Sequence, residues 1–328
     1  MSGLASLRHG TDAALNRGTP MRMPVQPASP ALAGDICRFS AHPSRPLLVA
    51  TVVSPRRFAG EPDEYSLATF AVDGRGTARE IASWPLGRGR WKAPRAVVHP
   101  SGRFVYVAQH GDGLTAFALS AAGGLSPRGR FPHVPDAIAE DVAVDPSGER
   151  LFVATRGDGF AAEVVTYRVD LATGAASAIA SLPTVAMTEI LVAPSGLCLF
   201  GTDREAEEPM VHAYHVDPGS GRLRHAGVQP TGWQPTALAF AGRHLYVAGQ
   251  ASNDIRAFDV APGLEVLRPL GVVARVPAPR FLLVDPAAGL LHVLGGTWAW
   301  TFRRLTDGSL EPLHIADGSV LGLVPCIP

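Results

Sequence analysis

The stretch Ala93-Pro94-Arg95 through His99-Pro100-Ser101-Gly102-Arg103-Phe104-Val105-Tyr106-Val107-Ala108-Gln109-His110-Gly111 decides the fold. Pro-Ser-Gly supplies the fixed φ and the permissive glycine of a tight turn. The β-branched and aromatic runs on either side have strand length, so the phrase reads as a hairpin. Related phrases stand at Asp145-Pro146-Ser147-Gly148 with Leu151–Gly157, at Ala193-Pro194-Ser195-Gly196 with Leu199–Arg204, and earlier at Ala41-His42-Pro43-Ser44 with Leu47–Ala50. Two degraded copies follow, Leu238–Arg243 with Leu245–Gln250, and Leu283–Pro286 with Leu291–Leu294.

Counted from residues 42, 99, 145, 193, about 240 and 285, the repeat has a period of about 47 residues. Periods of this size, built from short strands and turns, mark propeller blades. A third strand with alternating apolar residues follows each hairpin, as in Leu114–Leu119, Val164–Val169, Val211–Val216 and Ile255–Val260, and a weaker fourth follows that, as in Leu223–Val228. One such sheet cannot bury its two faces alone, so the copies must stack into a ring.

The expectation is therefore an all-β, single-domain propeller over residues 1–328. Six copies lie between about residues 35 and 313, and the two chain ends together amount to about one more period. A seventh blade is predicted, split between Leu4–Gly10 and Ser319–Pro325, which would join the termini and remove the open edges. Pro20, Pro24, Pro27 and Pro30 argue for the alternative of six blades plus a loose N-terminal arm.

Composition fits a turn-rich globular chain, with 35 Gly, 29 Pro, 46% hydrophobic and 18% charged residues. Lys+Arg and Asp+Glu balance at 29 each, which removes the basic footprint of a nucleic-acid binder. No run of 18 apolar residues suggests a membrane span, and the first thirty residues lack a secretory apolar core. Cys37, Cys198 and Cys326 are far apart and in no metal-ligand spacing, so a cytoplasmic location is expected. Neither a cofactor nor a catalytic metal is predicted, since arginines outnumber carboxylates at the positions that face the axis.

A propeller gathers equivalent positions around its axis. Aligning the repeats puts Val53, His110, Arg156, Arg204, Gln250 and Thr297 at the ends of second strands, with His9 added if the split blade forms. A second set begins the innermost strands: Arg38, Arg95, Glu140 or Asp141, Glu189, Thr236 and Arg280, with a parity uncertain by one residue. The arginines among these, with Glu140, Asp141, Glu189 and Asp203, describe a polar channel suited to an anionic small molecule. Arg204, His110, Glu189 and Glu140 are the candidate catalytic groups. Arg156, Arg95, Arg38, Arg280, Asp203, Gln250, Trp233 and Trp298 are the candidate substrate-binding groups. His42 and His99 in the His-Pro-Ser turns read as structural.

The chain resembles the seven-bladed propeller lactonases, which include bacterial propeller-type 6-phosphogluconolactonases and fungal carboxymuconate cycloisomerases. The phrase at residues 100–108, Thr202-Asp203-Arg204, and Gln229-Pro230-Thr231-Gly232-Trp233-Gln234-Pro235 followed by Ala248-Gly249-Gln250-Ala251-Ser252-Asn253-Asp254-Ile255 carry the resemblance, which spans most of residues 35–300. It implies lactone hydrolysis or a related cyclisation or isomerisation, with the family's Asp-Arg pair kept as Asp203-Arg204. The family's Asn-Glu pair is replaced by Thr155-Arg156, and its inner-strand histidine has no counterpart at Ala139-Glu140-Asp141. A non-catalytic propeller that binds a small molecule or a protein is the competing expectation, and the oligomeric state is left open.

Overall fold

The computed structural model describes residues 35–54, 62–73, 78–89, 93–109, 113–131, 138–157, 161–203, 207–261, 266–296 and 298–317. Within them the chain forms six four-stranded antiparallel sheets and no helix. Blade 1 holds β1 (Asp35–Ala41), β2 (Leu47–Ser54), β3 (Asp63–Val72) and β4 (Ala78–Gly89), and blade 2 holds β5 (Arg95–Val98), β6 (Phe104–Gln109), β7 (Gly113–Leu119) and β8 (Leu125–Phe131). Blade 3 holds β9 (Ile138–Val144), β10 (Arg150–Arg156), β11 (Ala162–Val169) and β12 (Ala176–Thr184). Blade 4 follows with β13 (Met187–Val192), β14 (Cys198–Asp203), β15 (Met210–Val216) and β16 (Leu223–Pro230). Blade 5 contains β17 (Pro235–Ala241), β18 (His244–Gly249), β19 (Asp254–Val260) and β20 (Leu267–Arg275), and blade 6 contains β21 (Pro279–Asp285), β22 (Leu290–Gly295), β23 (Trp298–Arg304) and β24 (Leu310–Asp317). Strands pair in chain order within each sheet, so the whole ladder is built from hairpins.

The repeat read from sequence is the first hairpin of each blade. In the Pro-Ser-Gly turns the glycine N–H donates to the carbonyl three residues back, Gly102 to His99 at 2.8 Å, Gly148 to Asp145 at 3.0 Å and Gly196 to Ala193 at 2.9 Å. Each of these glycines has φ near +70°, the left-handed region that closes such a turn.

Alternation along the strands supplies two apolar faces per sheet, and successive blades pack face to face through them. Phe104, Tyr106 and Leu114 of blade 2 share a buried cluster with Leu151, Val165 and Tyr167 of blade 3. Phe152, Ala154 and Val164 on the other face of blade 3 pack with Leu199 and Tyr214 of blade 4. The same arrangement continues between blades 4 and 5 and between blades 5 and 6. At the axis Phe39 of blade 1 lies 6.3 Å from Phe281 of blade 6, so the first and last described blades meet there.

The predicted split blade, with Leu4–Gly10, His9 and Ser319–Pro325, lies outside the described residues. Six blades are what the described chain contains. Blade 1 carries a further buried cluster, Ile36, Ala50, Val52, Ala68 and Phe70, on the face turned away from blade 2.

His42 and His99 have the structural role expected of them. Each His Nε2 reaches the glycine carbonyl of the next blade's turn, His42 to Gly102 at 3.1 Å and His99 to Gly148 at 2.8 Å. The His42 Nδ1 accepts the Ser44 N–H at 3.2 Å, and the His99 Nδ1 accepts that of Ser101 at 3.1 Å. A Cβ at Gly102 or Gly148 would overlap the imidazole, so His and Gly from successive repeats fit as one latch.

Candidate functional site

Five of the six inner strands begin with a β-bulge, and β5 of blade 2 pairs without a slip. Register slips between Ile36 and Arg38, Ala139 and Asp141, Met187 and Glu189, Pro235 and Ala237, and Pro279 and Phe281. A bulge sets two residues against one and re-aims side chains. The predicted inner set therefore occupies two positions rather than one. Arg38, Asp141 and Glu189 have cross-strand partners, as does Arg95, whereas Glu140, Thr236 and Arg280 are the inserted residues. The one-residue uncertainty in parity reflects this device, which no hydrophobic pattern encodes.

These side chains converge. A single carboxylate oxygen of Glu189, in blade 4, accepts from the guanidiniums of both Arg38, in blade 1, and Arg95, in blade 2. Arg38 Nη2 also donates to the Thr236 carbonyl in blade 5 at 2.7 Å, and its guanidinium lies 5.0 Å from the ring centroid of Phe281 in blade 6. Only the axis of a ring lies within reach of five blades at once. Arg95 and Glu189 are each 8% exposed, so the pair is desolvated. Such an ion pair contributes little net stability, yet losing one partner leaves a buried charge and costs about 3–5 kcal/mol.

In blade 3, Arg156 Nη2 lies 3.1 Å from Glu140 Oε1. Asp141 acts as a strut: its Oδ1 accepts the Val142 N–H at 2.9 Å and its Oδ2 accepts the Ile190 N–H of blade 4 at 2.8 Å. Thr236 Oγ1 donates to the Pro279 carbonyl at 2.8 Å and joins blades 5 and 6 in the same way.

At the second-strand ends, Asp203 Oδ1 accepts the Met210 N–H at 3.0 Å, and Asp203 Oδ2 lies 3.2 Å from His212 Nε2. The Gln250 amide, oriented to satisfy both of its groups, accepts from Arg280 Nε at 3.1 Å and Nη2 at 3.3 Å. Arg204, His110 and Thr297 lie outside the described residues. Register places Gly296, one residue before Thr297, at the position equivalent to Gln250, because β22 ends at Gly295 as β18 ends at Gly249.

Trp233 and Trp298 are 54% and 49% exposed and stand on the surface rather than inside a closed pocket. Trp233 is tied to the β18–β19 turn through its carbonyl, which accepts the Ala251 N–H at 3.1 Å. Gln234 and Ala278, two residues before the inserted Thr236 and Arg280, both have left-handed backbone, at φ 51° and 43°. For non-glycine residues this is a stored strain, and here it recurs at the same place in blades 5 and 6. A cleft of about 450 Å³ lies on blade 1 between Val52, Ser66, Ala68, Glu80 and Ser83, away from the axis. Among the described residues no three His, Cys, Asp or Glu side chains are grouped as a metal site requires.

His212 was not singled out by the sequence reading. The signal was present in Val211-His212-Ala213-Tyr214, whose alternation sets His212 and Tyr214 on one face of β15, across the hairpin from Asp203.

Comparison with known proteins gives the same architecture. Residues 176–284 match the model of a family described as "Lactonase, 7-bladed beta-propeller". No curated protein matches the chain at a significant level. Among solved structures, the periplasmic gluconolactonase PpgL of Pseudomonas aeruginosa superimposes with TM-score 0.68 at 20% identity, covering 85% of this chain and 84% of that one. A protein from Lactobacillus plantarum gives 0.67 at 19% identity, over 88% of this chain and 84% of its own. A Bacteroides fragilis protein with a provisional 6-phosphogluconolactonase assignment gives 0.64 at 15% identity, over 83% and 81%. At such identities the structural neighbours establish the fold. The family match adds the stretch from the last strand of blade 3 to the inner strand of blade 6, which contains Glu189, Asp203 and the whole segment Gln229–Ile255. On these grounds the chain is an all-β propeller that resembles the lactonase β-propellers, as its repeat phrases lead one to expect.

Proposed function

We propose that this propeller hydrolyses a lactone bearing an anionic group, at the axial cluster of Arg38, Arg95 and Glu189. The observation that carries the reading is the pair of guanidiniums, from two different blades, gathered on one carboxylate oxygen at the axis. Arginine's planar fork suits carboxylate and phosphate, so a site that already seats a carboxylate has the donors for a ligand's own. The same donors suit the oxyanion that develops when water attacks a lactone carbonyl. The lactonase family match and the gluconolactonase name of one structural neighbour favour hydrolysis over other chemistry, by association with the fold.

Hydrolysis and the reverse cyclisation use the same groups, so a cyclase or isomerase acting on a related acid remains within this proposal. A small anionic substrate, no nucleic acid and no membrane are the partners proposed. The cytoplasm is the proposed location, although the Pseudomonas neighbour is described as periplasmic.

The test is a proton-release assay with 6-phosphogluconolactone, gluconolactone and carboxymuconolactone, comparing wild type with Arg95→Gln. Turnover is expected, with the charged lactones preferred over gluconolactone and that preference reduced about tenfold or more in Arg95→Gln. No turnover on any of the three, with thermal stabilisation by gluconate or phosphate, would make the protein a binding module. Absence of both effects would remove the axial cluster as a ligand site.

A further inference from the structure

We infer that Asp203 and His212 form the proton-transfer dyad of this site, with His212 as general base; the inference rests on the lactonase reading above. The two residues lie at the loop end of the β14–β15 hairpin and are 6% and 9% exposed. Asp203 is fixed from both sides. Its Oδ1 takes the Met210 N–H at 3.0 Å, and its Oδ2 faces His212 Nε2 at 3.2 Å. A carboxylate only accepts, so Nε2 carries the proton and donates it, which leaves the lone pair on Nδ1. Among the described residues no group hydrogen-bonds that Nδ1. A carboxylate that orients an imidazole and leaves its second nitrogen without a hydrogen-bond partner among the described residues is the arrangement of a general base with its positioning partner.

The ring is held as well as oriented. It stacks on Tyr214 at 6.3 Å between centroids and 23° between planes, and it meets His225 of β16 edge-on at 6.0 Å. Gly201 lies directly across the strand pair from His212, and Met187 Sδ fills the space a side chain would take there, so the glycine makes room for the methionine beside the pair. The other repeats put Ala68, Thr115, Val165, Arg256 and Trp300 at the corresponding third-strand position, so the dyad belongs to blade 4 alone among the described blades.

Strand parity sets which interface the dyad faces. Leu199 and Tyr214 pack against Phe152 and Ala154 of blade 3. Alternation from Leu199 brings Asp203 to this interface, and alternation from Ala154 brings Arg156 to it from the opposite side. Both stand at the same ends of equivalent strands. The titratable groups set directly against His212 are Asp203 on β14, Tyr214 on its own strand and His225 on β16, while Arg156 with its partner Glu140 reaches the same blade interface from blade 3.

In the proposed step a water gives a proton to His212 Nδ1 while its oxygen bonds to the lactone acyl carbon. The acyl–oxygen bond of the ring then breaks, and the imidazolium returns the proton to the departing ring oxygen. The products are a hydroxyl group and a carboxylic acid, which ionises and releases one proton to solvent. Asp203 makes no bond to substrate and acts as the positioning residue.

The experiment pairs kinetics with a titration. In His212→Gln, kcat on the best lactone is expected to fall about 100-fold or more, with KM within threefold, and the acidic limb of the wild-type pH–rate profile is expected to vanish. Asp203→Asn should lower kcat while retaining that limb at a shifted pH. A purely structural role would lower the melting temperature of both variants without changing the pH profile of the folded fraction, and that outcome overturns the dyad. In ¹⁵N-labelled wild type, gluconate should move the His212 ring resonances and their titration midpoint. Should wild type turn over no lactone, the lactonase reading falls. Unmoved His212 resonances would independently sink the dyad.

Discussion

Replacing Gly102 by Ala tests whether the blades are latched through their turns. Gly102, Gly148 and Gly196 close the same Pro-Ser-Gly turn in blades 2, 3 and 4, with φ of 68°, 77° and 73°. An alanine at any of them costs about 1–2 kcal/mol for left-handed backbone. The sites differ in what faces the new methyl group. At Gly102 it would overlap the His42 ring and at Gly148 the His99 ring, whereas at Gly196 the nearest atom is Pro146 Cδ at 3.6 Å, an ordinary contact. The reason is in the sequence, because the residue at the latch position is His42, His99 and Asp145 in blades 1 to 3.

Displacing either imidazole also breaks its bond to the glycine carbonyl, a further 0.5–1.5 kcal/mol or so. Gly196→Ala should therefore destabilise by about 1–2 kcal/mol, and Gly102→Ala and Gly148→Ala by about 2–4 kcal/mol. Urea titrations followed by tryptophan fluorescence, with the slope held common, measure the differences. His99→Ala in the Gly148→Ala background should recover part of the loss by removing the overlap. Equal destabilisation at all three glycines would show that backbone strain alone matters and that the His–Gly contacts do not hold blades together.

Two further outcomes follow from single interactions. Asp141→Ala removes the acceptor of the Ile190 N–H and loosens blade 3 from blade 4; a loss of about 1–3 kcal/mol is expected in the same titrations, and a change below 0.5 kcal/mol would dismiss the strut. Burial lowers the folded-state titration of His42, His244 and His292 below the ordinary imidazole value of 6.5. The unfolded chain then binds protons first as the pH drops, so this contribution is whole above about pH 6.5 and declines through the acid side of it. His292→Asn should flatten the stability profile between about pH 7 and 5, and an unchanged slope would refute the assignment.

The fold was legible because turn chemistry and period agree. His99-Pro100-Ser101-Gly102 states a turn in four residues, and its spaced echoes state a ring. Even the degraded copies at 240 and 285 fell into the first hairpins of blades 5 and 6, since strand length and alternation survive the loss of the turn phrase. The axial set was legible as a list of residues but not as an arrangement. Nothing in the residues Met187-Thr188-Glu189 announces the bulge that aims Glu189, and no local pattern shows that its partners lie 94 and 151 residues away. Asp203 was found through a family motif, while its partner His212 needed the hairpin register.

The polar residues near the axis divide by what they bind, and the division bears on function. Asp141 and Asp203 place carboxylate oxygens on backbone N–H groups, and Thr236 bonds a backbone carbonyl; these residues fix blade to blade or strand to strand. Glu189 and Glu140 instead meet guanidiniums. A backbone N–H has one geometry, so the first group is rigid. A guanidinium offers five N–H donors, so Arg38 and Arg95 retain donors beyond those given to Glu189. Glu189 thus ties blade 4 to blades 1 and 2 through side chains alone, and the donors left on Arg38 and Arg95 are the groups an anion arriving at the axis would meet. The position where the lactonase pattern has an acid carries Arg156, and Glu140 from the adjacent inner strand meets it. Arg156 and Glu140 thus set a cation and a carboxylate from neighbouring strands of blade 3 side by side, so the charge at the mouth of that blade is neutralised within the blade, whereas Glu189 must reach two other blades for its partners.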